Sequence, residues 1–164
     1  MHQTTEYQPV FTGEQRRKLD DILKRYPTKQ AALLPALWMV QDALGWVPEE
    51  GMVEIAEVLG LTAAHVKGVA TFYTMYHKHP VGEHFIQICT TSPCNVCGAE
   101  DVVHAFLEHT GCGELGATSP DGKFTVIEVE CLGACGFVTP VLIDDDFVDG
   151  VTPEMVPELL ARYR

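Results

Sequence analysis

Four cysteines occur as two short pairs, Cys89-x4-Cys94 and Cys131-x3-Cys135, and each pair begins where an apolar, strand-like segment runs into a glycine-containing loop. Thiolates this close in sequence can converge on soft iron with little loss of chain entropy. Four of them complete the all-thiolate shell of a [2Fe–2S] cluster. The spacing therefore predicts a metal or cluster site, and it constrains the fold because both loops must reach one point.

Length and charge exclude several classes of protein. A chain of 164 residues accommodates one ordinary domain or two small ones, and its 46% apolar content is enough for a packed core. The formal net charge of −12 leaves no basic footprint for nucleic acid. We interpret the acidic surface chiefly as a solubility feature, with a basic protein partner as the alternative.

The sequence contains no apolar segment suited to a membrane or a leader. Residues 1–6 are polar and acidic, unlike a signal peptide, and the longest apolar stretch, Ala31–Val40, contains Pro35 and is too short to span a bilayer. We therefore expect a cytoplasmic protein without direct membrane insertion. In that compartment, six cysteines favour metal or redox chemistry over a disulfide framework.

The first half, residues 1–80, has the apolar periodicity of four short helices and predicts a small helical bundle. We expect Thr12 and Gln15 to form a capping box at the first helix and Tyr26-Pro27 to end it. A second helix should run from Lys29 to Leu44 and stop at Gly45. Pro48 and Thr62 should begin the third and fourth helices. We expect the aromatic side chains nearby, which are Trp38, Trp46 and Phe72, to lie in the core, with part of a partner interface as the alternative.

The second half, residues 81–164, changes to a mixed pattern with the order β-α-β-β-β-α. This order predicts a mixed β-sheet with helices packed on it, so the whole chain is α+β. It resembles a thioredoxin fold without its first strand and helix. The predicted strands are 85–88, 124–129, 138–143 and 147–148, and the predicted helices are 99–109 and a last one opening at 152–154.

Other uses of the thiols are compatible with the spacing. Cys94-Asn-Val-Cys97 between a strand and a helix is typical of a thioredoxin-like dithiol oxidoreductase. Structural zinc would take Cys94, Cys97 and the second pair. A ferredoxin-type ligand set would use the first three cysteines with Cys131. Cys112 is interpreted as a turn cysteine without a role.

The glycines near the cysteines fit a buried anionic cluster. Such a cluster needs backbone N–H donors close to its sulfurs, and glycine permits that approach. Gly98, Gly133 and Gly136 lie where those donors are needed. The chain has no strand–G-x-G-x-x-G–helix fingerprint and no P-loop, so we expect it to bind no dinucleotide itself.

Several motifs resemble one known family over roughly residues 13–163. They are Ala31-Ala-Leu-Leu-Pro-Ala-Leu-Trp38, Gly45-Trp-Val-Pro48, Val69-Ala-Thr-Phe-Tyr-Thr-Met75, Cys89-Thr-Thr-Ser-Pro-Cys94 and Val129-Glu-Cys-Leu-Gly-Ala-Cys135 followed by Thr139-Pro140. The chain resembles the thioredoxin-like [2Fe–2S] subunit (the E subunit) of NADH-quinone oxidoreductase, or complex I, which has relatives in NAD-linked hydrogenases and formate dehydrogenases. It departs from the family at Cys97, where an arginine is common.

The resemblance implies specific ligands and a specific role. It implies a helical bundle before a thioredoxin-like [2Fe–2S] ferredoxin domain, with Cys89, Cys94, Cys131 and Cys135 as cluster ligands. It also implies an electron-transfer subunit that exchanges electrons with a flavin-binding, NADH-oxidising partner in a heteromeric complex. Through that complex the subunit would lie at the inner face of the membrane. No catalytic acid, base or nucleophile is expected.

Overall fold

Residues 7–163 are described by a computed structural model, in which the chain divides into two compact units. The N-terminal unit ends at Pro80 and the C-terminal unit begins at Val81. That each unit is an independent domain stays a prediction. The polar residues 1–6, on which the expectation of no leader depends, lie outside the described residues.

The N-terminal unit consists of short helices with tight connections. They are α1 Gly13–Leu23, a 3-10 turn Lys29–Ala32, α2 Leu33–Leu44, α3 Glu49–Leu59 and α4 Ala63–Phe72. Pro35 lies in the first turn of α2, where its missing N–H costs no helical hydrogen bond. Gly45, in the left-handed region at φ 80°, ends α2 as predicted. The Thr62 hydroxyl accepts the His65 N–H at 3.2 Å and caps α4, also as predicted.

Four predicted helix ends differ from the structure. Helix α2 begins at Leu33, after the 3-10 turn, and not at Lys29. The capping box at α1 is wrong, because the Thr12 side chain makes no capping hydrogen bond and the Thr12 N–H donates to the Val10 carbonyl. The helix ends at Leu23, before Tyr26-Pro27. Pro48 is the N-cap of α3 and not its first residue. At α1 the difference arises because the chain before the helix is held by hydrogen bonds to α3, which local patterns do not encode.

The core of the N-terminal unit is mainly aliphatic and includes two buried aromatic side chains, Phe11 and Tyr76. Tyr76 is fully buried, and its hydroxyl donates to the Leu34 carbonyl at 3.0 Å. The prediction of core aromatics is wrong for Trp38, which is 40% exposed, and for Phe72, which is 76% exposed. Tyr76 fills the interior beside α2, and Trp38 packs edge-on against it with 5.6 Å between ring centroids. The buried side chains include Leu19, Leu33, Leu37, Val40, Val47, Ile55, Leu59 and Val66.

The C-terminal unit contains a four-stranded mixed sheet with the order β2-β1-β3-β4. Strand β1 pairs parallel with β2 and antiparallel with β3, and β4 pairs antiparallel with β3. The strands are β1 His84–Cys89, β2 Phe124–Val129, β3 Val141–Ile143 and β4 Asp146–Val148. Strand β3 is thus shorter than the predicted 138–143.

The helices of this unit are α5 Ser92–Val96, α6 Ala99–Thr110, a 3-10 turn Pro153–Met155 and α7 Val156–Ala161. The sequence did not predict α5. Phe106 of α6 and Leu160 of α7 are fully buried in one core with Ile86, Ile88 and Val126 of the sheet. A helical unit followed by a mixed sheet with helices confirms the predicted α+β class.

None of the helices within residues 7–163 has, by itself, the length and apolarity to cross a membrane. The pair α3 and α4 meets that test only when the two are taken together, and the pair is bent by 120°.

Candidate metal centre

The two cysteine loops leave the same edge of the sheet. Cys89 ends β1 and pairs in register with Val129, which ends β2. The Thr90 N–H continues this pairing by donating to the Val129 carbonyl at 3.1 Å. Because β1 and β2 are parallel neighbours, their carboxyl ends lie side by side, and Cys131 follows Val129 by two residues. The two cysteine loops therefore begin next to each other, as a shared site requires.

The first pair of thiols is buried. Helix α5 turns the chain back after β1, so that the Cys94 Sγ lies 3.4 Å from the Cys89 Sγ. Both side chains are at most 1% exposed and pack with Ala99, Leu132 and Val138. Cys94 thus lies on a short helix and not in the predicted loop, and the surrounding apolar side chains exclude water from this half of the site.

The second pair of thiols is exposed and held by a glycine turn. The Cys131 Sγ accepts the Gly133 N–H at 3.2 Å, and Gly133 adopts φ 76°, a conformation that favours glycine. The predicted donor role is confirmed for Gly133. It is wrong for Gly98, whose N–H donates to the Asn95 carbonyl at 3.1 Å. For Gly136 it stays a prediction.

The four thiols influence one another's ionisation. Burial by itself would raise the pKa of Cys89, but hydrogen bonds from the backbone at Leu132 and Thr91 and from the Cys94 and Cys131 thiols outweigh burial and lower it. Burial, followed by the interaction with Cys89, raises the pKa of Cys94 to about 11. The hydrogen bond with Cys131 raises the pKa of Cys135. The site therefore favours the thiolate form of Cys89 and disfavours the thiolate forms of Cys94 and Cys135.

This donor set has the chemistry of a [2Fe–2S] site. Four thiols from two loops interact, N–H donors reach Cys89 and Cys131, and a bound cationic iron core would favour the thiolate forms of Cys94 and Cys135. In such a cluster each iron takes two thiolates. No group of three or more Cys, His, Asp or Glu side chains within residues 7–163 could hold a single metal ion. That Cys89, Cys94, Cys131 and Cys135 are the ligands stays a prediction, with structural zinc at Cys94, Cys97, Cys131 and Cys135 as the alternative.

The remaining cysteines lie outside this set. Cys97 follows α5 with an exposed side chain, and its N–H donates to the Cys94 carbonyl at 3.0 Å. A dithiol catalyst needs an accessible, readily ionised first thiol, whereas Cys94 is fully buried with a raised pKa. The geometry thus disfavours a Cys94–Cys97 redox pair. Cys112 is buried in the core, and its thiol donates to the Phe124 carbonyl at 3.5 Å.

Known proteins are similar to this chain in sequence. The sequence model of the thioredoxin-like [2Fe–2S] ferredoxin family matches residues 19–164. The E subunit of NADH-quinone oxidoreductase from Pseudomonas aeruginosa is 40% identical over 154 residues, which cover 94% of this chain and 92% of that protein. Mitochondrial NADH dehydrogenase (ubiquinone) flavoprotein 2 of Dictyostelium discoideum is 39% identical over 94% of this chain and 63% of that protein.

One solved structure supports the fold. The crystal structure of an NAD+-reducing [NiFe]-hydrogenase in the air-oxidised state superposes with a TM-score of 0.67 over 80% of this chain and 22% of that chain. The identity of 16% limits this likeness to the fold.

The fold and the four converging thiols define a small thioredoxin-like iron–sulfur protein. The chain belongs to the thioredoxin-like [2Fe–2S] ferredoxin family, together with the E subunit of NADH-quinone oxidoreductase. The cofactor of this family is a [2Fe–2S] cluster, as the cysteine spacing predicted. The prediction of an oxidoreductase subunit agrees with the relatives that match over nearly their full length.

Proposed function

We propose that this chain is a one-electron carrier subunit that exchanges electrons with the flavin-bearing, NADH-oxidising subunit of an NADH dehydrogenase-type complex. Its cluster ligands would be Cys89, Cys94, Cys131 and Cys135. The observation that carries the proposal is the convergence of two thiol pairs at one sheet edge. The proposal is supported further by the sequence, which is 40% identical, over 94% of this chain, to the E subunit of an NADH-quinone oxidoreductase.

The residues around the site suit electron transfer. When bound, a [2Fe–2S] cluster accepts and releases one electron. Cys89 and Cys94 hold the buried side and exclude water with Leu132 and Val138. The Gly133 N–H stabilises negative charge at Cys131. Because Cys131 and Cys135 are exposed, this side of the site offers a short route between the cofactor and a partner surface.

Two observations support a partner that carries the flavin and binds NADH. The sequence has no dinucleotide-binding fingerprint, so hydride chemistry would belong to another subunit. Relatives that match over nearly their full length are named as subunits of NADH-quinone oxidoreductase. In such a complex this chain would lie peripherally, at the inner face of the membrane. The respiratory enzyme, the soluble hydrogenases and the formate dehydrogenases are all candidate parents.

Cluster content tests the first part of the proposal. Chain purified anaerobically should contain about two irons and two acid-labile sulfides and show charge-transfer absorption in the visible range. A sample that contains zinc, or a colourless protein with a reversible Cys94–Cys97 disulfide, would contradict the proposal and favour the zinc or dithiol alternative.

Reduction by NADH tests the second part. NADH alone should not bleach the visible absorption of the loaded chain, and NADH with a catalytic amount of the flavin-bearing subunit should bleach it. Calorimetry should detect neither NADH nor flavin binding to the chain alone. Binding of NADH to the isolated chain, or bleaching that does not depend on the flavin-bearing subunit, would contradict the division of roles.

A further inference from the structure

The acidity of this chain is concentrated in the unit that contains the thiols. Residues 81–164 include 14 Asp or Glu against three Lys or Arg, whereas residues 1–80 include nine against eight. Of the described ion pairs, only Arg162–Glu158 and His84–Asp144 lie in this unit. Most of its carboxylates therefore lack a cationic partner within residues 81–163. Solubility alone would not require so uneven a distribution, and a basic partner surface would be attracted to this unit.

A groove runs over α5 and α6 on this acidic unit. It consists of two adjoining concavities that share Asn95 and Glu100. The first has a volume of about 240 Å³ and is also bounded by His104 and Glu128. The second has a volume of about 390 Å³ and reaches Val96, whose side chain is 89% exposed. We refer to the two together as the α5–α6 groove.

The wall of the groove is formed by the segments that also carry the thiols. Thr90 directly follows Cys89, and Asn95 directly follows Cys94 on α5. Because an α-helix with its side chains is about 10–12 Å across, a group seated in the groove lies within roughly one helix diameter of Cys94. A partner held here is therefore held close to the redox site.

The lining of the groove suits one long basic side chain. Neither Glu100 nor Glu128 forms an ion pair within residues 7–163, and Glu128 accepts only a long hydrogen bond, 3.3 Å, from the Thr90 hydroxyl. Val103 and Leu107 form an apolar floor that would contact the methylene stem of arginine or lysine. The two carboxylates and the apolar lining of this concavity thus fit a long basic side chain.

We propose that the α5–α6 groove receives a basic side chain, with arginine as the best chemical fit, from the flavin-bearing subunit. Arginine presents a planar fork of N–H donors that can engage two carboxylates at once while its stem packs on apolar surface. The contact positions that subunit next to the thiol site. This inference rests on the proposed function and adds the surface and the chemistry by which the partner is recognised.

Paired neutralising variants test the groove. Glu100→Gln with Glu128→Gln removes both carboxylates and nearly preserves side-chain shape. Glu83→Gln with Asp145→Asn is the matched control, because it removes the same charge from exposed residues at the opposite end of the sheet. The dissociation constant of each cluster-loaded chain for the flavin-bearing subunit would be measured at low and at moderate salt. We expect at least about a tenfold loss of affinity and a weaker salt dependence for the groove variant. We expect a change of no more than about twofold for the control.

The visible absorption of the cluster shows that each variant remains folded and loaded. Glu128 lies three residues before Cys131, so Glu100→Gln alone is the fallback if the double variant loses its cluster. Equal affinities for the groove variant and the control would overturn the inference and leave the proposed function intact. If the unmodified chain does not bind the flavin-bearing subunit at all, the proposed function fails and this inference fails with it.

Discussion

Cys89 and Val129 are paired in parallel register as the last residues of β1 and β2. This pairing places Cys131 beside Cys89, although the two are far apart in the chain. The other two thiols are then within local reach, Cys94 through α5 and Cys135 through the turn at Gly133. A four-thiol site therefore depends on one strand pairing and two short local turns.

Removal of Cys135, a proposed ligand, should have a different effect from removal of Cys97, which is not a proposed ligand. Cys135→Ala should prevent stable cluster assembly, because one iron would lose half of its thiolates. Cys97→Ala should retain the cluster, because the Cys97 thiol is absent from the interactions that link the other four thiols. The measurement is the paramagnetic signal of the reduced proteins, with iron content as a control. A signal of normal intensity in Cys135→Ala would rule out the proposed ligand set.

Gly82 should not tolerate a side chain. A Cβ at this position would lie 2.7 Å from the backbone carbon of Phe124, and the Gly82 N–H donates to the Thr125 hydroxyl at 2.8 Å. We expect Gly82→Ala to lower the free energy of unfolding by about 1–3 kcal/mol, because backbone atoms must shift. Gly113→Ala is the control, since open space surrounds that position. Urea unfolding compares the two, and equal stabilities would contradict the close approach.

Glu54 should hold the segment before α1 onto α3. Its carboxylate accepts the N–H groups of Val10 at 2.9 Å and Phe11 at 2.8 Å, as well as the Tyr7 hydroxyl. Glu54→Gln turns an amide N–H₂ toward one of these donors, so we expect a loss of about 1–3 kcal/mol in unfolding free energy. The Val10 and Phe11 amides should then exchange faster with solvent. Glu57→Gln, one turn away and exposed, should change neither quantity.

Tyr7 should contribute to stability in a way that is lost at high pH. Burial, followed by the hydrogen bond to Glu54, raises the pKa of Tyr7 above its ordinary value. A raised folded-state pKa means that the contribution is fully present below about pH 10, where an unfolded tyrosine ionises, and declines as pH rises toward the folded value. Tyr7→Phe should therefore flatten part of the alkaline decline in unfolding free energy. An unchanged pH profile would argue against the Tyr7–Glu54 contact, and Tyr26→Phe serves as an exposed control.

Much of the fold follows from local sequence. Where the predicted fold differs from the structure, the cause can be identified. Apolar periodicity was sufficient for the end of α2, with Gly45 as the stop signal, and for the start of α4, with Thr62 as the cap. Helix α5, with five residues and a proline in its first turn, is too short to show a period. Trp38 resembles a core residue in the sequence because it lies among the regularly spaced apolar residues of α2. It is nevertheless partly exposed, because Tyr76 from a distant segment occupies the interior beside it.

The amino-acid sequence by itself determined which chemistry is available: two closely spaced thiol pairs, glycines next to them, and no nucleotide fingerprint. Only the tertiary structure decided that Cys89 and Cys94 are buried while Cys97, Cys131 and Cys135 are exposed, and that Glu100 and Glu128 line one groove. The reason is that spacing along the chain governs local turns and loop closure. Burial and the meeting of distant side chains depend on how strands and helices from separate segments pack.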